Sequence, residues 1–235
     1  TPLVTDTEAS AYPLPRPDQP PVGKLSAARE LLEHLGALDS AGDITPLSKQ
    51  MGQLGTHPRL AAMLLAERTA EKAALAADMA ALLEERDPLR PRHSAQGRPP
   101  VTPPADIGLR LDLIAGEDHP DADRAALSRI RLAAKRFRSR LNVPQHLRAQ
   151  GNAAALLAAG FPDRIALCRG EPGSYRLANG SNARLKRDDT LAPHRLPAVA
   201  WLHLRTTAAI PLVAPLDLYD LPPTLSARIH AQVVP

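Results

Sequence analysis

The sequence predicts a mainly α chain with a smaller β region toward its C-terminal end. Three observations lead there. From Lys24 to about Ala159 the apolar residues recur at helical spacing, whereas beyond Phe161 they fall into short β-like runs separated by strong turn signals. Aromatics make up only 3% of the 235 residues while hydrophobics make up 44%, so the cores must be built from Ala and Leu, which favour helix.

The elements follow in order. Residues 1 to 23 carry prolines at 2, 13, 15, 17, 20 and 21, which remove backbone donors and fix φ, so this stretch is expected to be an extended arm. Leu25, Ala28, Leu31, Leu32 and Leu35 then mark one helix, closed by Gly36 where a left-handed cap is wanted. Asp39 to Gly42 reads as a tight turn and Ile44-Thr45 as a short strand. Pro46 suits the first turn of a second helix, which runs to about Leu54. This order suits a compact winged-helix unit over residues 24–57.

A helical bundle is expected over residues 58–160. Pro58 opens a helix with Leu60, Met63 and Leu64 on its buried stripe, and another spans about Thr69 to Glu85, stopped by Asp87-Pro88. The Pro-rich stretch 90–105 has almost no bulky apolar residues, so it reads as a mobile loop that adds nothing to a core. Helices resume at Asp106 to Ile114, Asp121 to Leu141 and Asn152 to Ala159. Residues 161–220 then hold about five short strands, with turns at Gly170 to Gly173 and Asn179-Gly180, which suggests a small barrel of the kind used by OB-folds. Residues 221–235 begin a further element and end there, as a truncated one would.

Composition excludes several classes. The lone Cys168 cannot form an internal disulfide, and a reducing, cytoplasmic setting is the expectation. No apolar run approaches the roughly 18 to 20 residues of a membrane span, so no membrane partner is expected. A net charge of +4 and a pI near 9.6 fit a polyanion partner without establishing one.

No catalytic centre is legible. The chain lacks a G-x-x-x-x-G-K-[ST] loop to cradle a triphosphate, an Asp-Glu-x-His for magnesium and a G-x-S-x-G elbow. Its eight histidines never fall three or four apart on one helix, and Glu117, Asp118, Asp121 and Asp123 precede a helix, where the dipole and capping favour carboxylates, so no metal site is expected. The most chemical stretch is the helix that carries Arg129, Arg131, Lys135, Arg136, Arg138 and Arg140 against apolar Leu127, Ile130, Ala134, Phe137 and Leu141. Such a helix docks by its apolar face and shows cations to solvent. They are either a plain solvated face or contacts for backbone phosphates.

The phrase Leu35-Gly-Ala-Leu-Asp39 with Gly42 and Ile44-Thr45, then His57-Pro-Arg-Leu60, Glu84-Glu-Arg-Asp-Pro88 and the stretch from Pro162 to Leu185, resembles bacterial HrpB-type ATP-dependent (DEAH-box) helicases. The resembling region follows the second motor domain, where a winged helix leads into a ratchet-like bundle and then a small β domain. Ser48 departs from it, standing where the related winged helix usually has glycine, and the segment from Leu191 to Pro211 looks shortened.

The resemblance implies an accessory region of an RNA or DNA helicase, closing a channel over single-stranded nucleic acid and inactive alone. ATP and Mg would belong to RecA-like motor domains outside this chain, which would be its protein partner, and the chain itself would be a monomer. It also makes Arg59, at the junction of winged helix and bundle, a candidate phosphate contact beside Arg129, Lys135, Arg136 and Arg140. In the β region Asp163-Arg164, Tyr175, Asn179-Gly180 and Arg184 follow the related pattern. Arg184 would add a cation, and Tyr175 is either a core residue or a platform for a stacked base. The competing reading is a protein–protein module that docks motor domains or other partners without touching nucleic acid. A free-standing duplex reader ranks below both, because Lys49 is the one cation from Leu47 to Leu54.

Overall fold

The computed structural model describes residues 22–66, 69–91, 101–203, 208–221 and 225. Seven α-helices and five strands lie among them: α1 (Val22–His34), α2 (Pro46–Gln53), α3 (Pro58–Leu65), α4 (Ala70–Glu84), α5 (Ile107–Ala115), α6 (Arg124–Arg140), α7 (Ala153–Gly160), β1 (Ala166–Cys168), β2 (Ser174–Leu177), β3 (Asn182–Arg184), β4 (Pro197–His203) and β5 (Ala208–Pro215). Residues 1–21 of the expected arm lie outside the described residues, and Val22 and Gly23 already belong to α1. The further element expected over 221–235 also lies outside them, except for buried Leu221 and half-buried Leu225.

Local chemistry sets the helix ends. Gly36 takes φ +71° after α1, its amide bonds to Glu33 O and the Ala37 amide to Leu32 O, so two orphan carbonyls of the last turn are satisfied. Thr45 then does two jobs: its hydroxyl donates to Gly36 O at 2.7 Å and accepts from Ser48 N at 3.1 Å, tying the end of α1 to the start of α2. The expected strand at Ile44-Thr45 is no more than an isolated antiparallel bridge between Leu38 and Ile44, because the Asp39 carboxylate folds residues 39–43 into a turn through Ala41 N and Asp43 N.

The helices pack around α4. Every residue from Ala73 to Leu82 is buried and all but Asp78 are apolar, as befits a helix covered on every side. Gly160 lets α7 lie against α3: a Cβ there would stand 2.6 Å from Arg59 O and 3.1 Å from Met63 Cβ. Helix α6 starts at Arg124, later than expected, because Asp123 caps it through Ala125 N and Ala126 N and Ala122 bridges to Leu89.

The stretch 90–105 also differs from expectation. Its residues 92–100 lie outside the described residues, but Ala105 is 3% exposed in the β core, where its amide donates to Asp189 Oδ2 and its carbonyl accepts from Val213 N.

The five strands form one sheet in the order β1-β2-β3-β5-β4, antiparallel except for the β3–β5 pair. Its two edges meet: Ile165 bridges Ala198, and Cys168 N donates to Arg195 O. The result is a nearly closed five-stranded barrel whose interior holds Tyr175, Leu177, Leu185, Val199, Ile210 and Val213. Strand β1 starts later than expected because Pro162–Arg164 forms a 3-10 turn. Alternate residues of β4 and β5, Ala198, Ala200, Leu212 and Ala214, face the helical core instead, so this hairpin is a wall shared by both cores.

Candidate nucleic-acid interface

Helix α6 presents its cations in two kinds. Arg138 is a correction to the picture of a solvated row: it is 8% exposed and forks onto Asp78 of α4, with Nη2 2.8 Å from Oδ2 and 3.0 Å from Oδ1. Its Nη1 donates to Leu147 O at 2.7 Å. Burial pushes the Asp78 carboxyl above its ordinary range, and the Arg138 hydrogen bonds and charge oppose that shift. Arg131 donates to Leu113 O and Ile114 O at the last turn of α5, where a cation complements the helix dipole. Arg140 reaches Leu54 O at 2.6 Å, past the end of α2, and lies 5.8 Å from the Phe137 ring centre. Arg129 is half exposed and pairs with Glu85 at 3.2 Å.

Lys135 and Arg136 are exposed, and among the described residues neither side chain has a partner. A free surface cation can meet a phosphate without first breaking a protein contact. Exposed Leu132 lies one turn before them, leaving an apolar spot beside the charges.

Arg59 sits differently. Its guanidinium forks onto Asp163, with Nη2 2.9 Å from Oδ2, and lies 5.2 Å from the Phe161 ring centre, with its side chain 12% exposed. Arg164, 4.9 Å from the same ring centre, donates to Ala200 O at 2.7 Å. Desolvation and the Arg59 charge lower Arg164 from its ordinary value, with Asp163 opposing, and Arg164 still stays cationic at neutral pH. Desolvation, then Arg59 and Arg164, also hold the neighbouring His57 below its usual range, which keeps its Nδ1 an acceptor for Arg59 N at 3.2 Å. These residues form the joint between α3, α7 and the barrel. Beside it a cleft of about 800 Å³ opens toward α1, walled by Glu30, His34, Arg59, Asp163 and Asn179 over apolar Leu31.

Tyr175 is a second correction. It is 2% exposed inside the barrel and its hydroxyl donates to His194 O at 2.8 Å, so its ring has no free face for a base. Desolvation pushes its hydroxyl up to about 12. Arg184 is exposed on β3, opposite Ser174, with no partner among the described residues.

Sequence reading missed Arg110, which is 1% exposed and pairs with Asp87 at 2.8 Å while donating to the Pro104 and Asp106 carbonyls. An Arg inside the apolar stripe of a short helix is the signal that pointed to it. Sequence reading also missed Tyr219, 97% exposed, which nothing in its neighbours foretells. Among the described residues no helix is long and apolar enough to cross a membrane, and no three His, Cys, Asp or Glu side chains gather where they could hold a metal ion.

Comparison with known proteins places this architecture. The chain is 37% identical over 177 residues to the ATP-dependent RNA helicase HrpB of Escherichia coli (strain K12), which covers 75% of this chain and 19% of that protein. Two crystal structures share its fold: the E. coli DExH-box NTPase HrpB (TM-score 0.65, 33% identity) and the E. coli DEAH/RHA helicase HrpB (TM-score 0.67, 32% identity). Each covers 87% of this chain, which in turn covers 22% and 23% of them. No family model matches. The chain is homologous to a part of HrpB and spans about a fifth of that relative's length.

Proposed function

We propose that, as a homologue of part of HrpB, this chain is an accessory region of an ATP-dependent helicase that grips single-stranded nucleic acid while motor domains outside it hydrolyse ATP with Mg. The similarity to HrpB over helices and barrel together is the observation that carries this reading. In it, residues 24–57 serve as the winged helix, 58–160 as the ratchet-like bundle and 161–220 as the OB-like domain, working in the cytoplasm. The chain's own share is position and charge: Lys135 and Arg136 of α6, and Arg184 of the barrel, hold phosphates without reading bases. Arg131, Arg138 and Arg140 keep α6 in place instead, and the Arg59–Asp163 pair fixes the barrel on the helices.

The test is binding of the 235-residue chain to a labelled single-stranded RNA, followed by fluorescence anisotropy as salt is raised. The expected outcome is affinity that falls with salt, and a Lys135→Ala/Arg136→Ala chain that binds more weakly with a shallower salt slope. Equal binding by that variant and the parent sinks the role of α6.

A second reading, docking of the motor domains without nucleic-acid contact, draws support from one place. Tyr219 is 97% exposed and Leu218 55%, between Asp217 and Asp220, an apolar knob with acidic flanks that suits a protein pocket better than a phosphate. It predicts that Tyr219→Ala weakens assembly with the motor domains while binding to RNA is unchanged.

A further inference from the structure

The 3-10 turn Leu218–Asp220 presents Tyr219, 97% exposed, and Leu218, 55% exposed, on a backbone that is held firmly. Leu216 and Leu221 on either side are buried, the Leu216 amide donates to Leu196 O at 2.8 Å, and Asp217 Oδ1 accepts from Tyr219 N at 3.1 Å. Asn152 braces the turn from the helices. Its Oδ1 caps α7 through Ala154 N and Ala155 N, and its Nδ2 donates to Asp220 Oδ2 at 2.7 Å. A bare ring on a fixed backbone adds nothing to the fold, and it lowers the cost of binding because little is left to order. The Leu221 amide closes the turn onto Leu218 O, and the Leu221 side chain lines the cleft of about 800 Å³ beside α1. Knob and cleft therefore adjoin. The apolar lining of the cleft includes Leu31, Ile165 and Leu225, and its α1 wall is uncovered at the start, where every residue from Gly23 to Glu30 is exposed.

Charge decides what kind of segment fits. The chain carries +4 overall, yet this surface is rimmed by carboxylates: Glu30 on the cleft wall, and Asp217 and Asp220 on either side of the knob. Asp217 and Asp220 accept from neutral N–H groups, which leave each a full negative charge, and no cation pairs with any of the three among the described residues. Arg59 also reaches the cleft, but Asp163 matches its charge. Such a surface repels phosphates and draws cations. We propose that knob and cleft together dock a basic amphipathic helix of another protein, with its apolar residues at i, i+4 and i+7 seated between Tyr219 and α1 and its flanking Lys or Arg side chains paired with Glu30, Asp217 and Asp220. The inference rests on the docking reading drawn from Tyr219 and adds to it the pocket and the chemistry of the occupant. A helix suits the site because α1 offers it an uncovered helical wall, against which side-chain ridges and grooves can interdigitate. The tyrosine and the apolar anchors supply the strength, while the carboxylates set orientation and the speed of encounter.

The probe is a fluorescently labelled peptide of about 16 residues with Leu at i, i+4 and i+7 and Lys on both flanks, set beside a second peptide in which Glu replaces each Lys. The full chain is compared with its Tyr219→Ala, Ala27→Trp and Glu30→Lys variants, of which Ala27→Trp fills the cleft from the exposed wall of α1. The Lys peptide is expected to bind the full chain at low salt, about tenfold or more weakly after Tyr219→Ala or Ala27→Trp, and about threefold more weakly after Glu30→Lys. Urea melts of Tyr219→Ala should match those of the parent, because the ring it removes is bare, so lost binding is not lost folding. Equal or tighter binding of the Glu peptide overturns the proposal, as does full affinity for the Lys peptide in either the Tyr219→Ala or the Ala27→Trp chain. Displacement of the peptide by single-stranded RNA, or self-association of the chain that Tyr219→Ala abolishes, overturns it by naming a different occupant. If Tyr219→Ala weakens assembly with the motor domains and Ala27→Trp does not, the cleft falls and the docking reading stands. If neither does, both fall.

Discussion

Tyr175 and Ser48 show how differently two buried hydroxyls behave. The Tyr175 hydroxyl donates to His194 O and pins the segment after β3 across the barrel interior, so Tyr175→Phe should cost about 1 kcal/mol of stability. Desolvation raises its folded value to about 12, above the ordinary tyrosine value near 10. A group raised on folding contributes stability that is fully present below its unfolded value and lost as pH climbs through the folded one, so this contribution fades between about pH 10 and pH 12. Absorbance titration near 295 nm should show an ionisation step near 12 that Tyr175→Phe removes, and a wild-type chain without that step refutes the interior placement. Ser48 is 3% exposed and its Oγ has no partner among the described residues. Ser48→Ala is therefore expected to hold or gain stability, by up to about 1 kcal/mol, because it deletes an unsatisfied group rather than a bond. A loss in urea melts would mean that the hydroxyl has a partner.

At the scale of elements, several helix ends were legible because their signals are local: Gly36, Pro46, Pro58 and Asp106 act on residues within one turn, whereas the Asp123 cap, which starts α6 later than expected, was not read. The strands were legible from Asn179-Gly180 and the glycines at 170 and 173, which take positive φ at the turns. What each arginine meets was not, because Arg138 finds Asp78 from 60 positions away and Arg59 finds Asp163 from 104. Periodicity tells which face a side chain takes and says nothing of the helix that later covers it. This is why a row read as solvent-facing hides one buried ion pair. Magnitudes separate the two kinds of pair. Asp78→Ala strands the Arg138 charge in the interior and should cost about 3–5 kcal/mol, whereas Arg129→Ala, losing a surface pair with Glu85, should cost no more than about 1 kcal/mol. Gly160→Ala should cost about 1–3 kcal/mol by pushing α7 off the Arg59 carbonyl. Equal losses for Asp78→Ala and Arg129→Ala in chemical denaturation would show that α4 and α6 do not meet through that pair.

For the molecule as a whole, the question is whether helices and barrel melt as one body. Two features argue that they do. The β4–β5 hairpin is counted in both cores, since Leu212 and Ala214 face the helices while Val199, Ile210 and Val213 face the barrel interior. Arg59 and Asp163 fasten the joint from the other side, with Phe161 packed between the two structures. A wall that loses its packing on one face cannot keep its ladder on the other, so damage to the helical core should be felt in the barrel. Leu212 is fully buried against the helices, and Leu212→Ala should cost about 2–5 kcal/mol. The decisive reading is which signals move. Far-UV circular dichroism follows the helices and the high-pH Tyr175 ionisation follows the barrel, and in the variant both should be lost at the same, lower denaturant concentration. Should helix melting shift while the Tyr175 environment survives unchanged, the hairpin is not a shared wall.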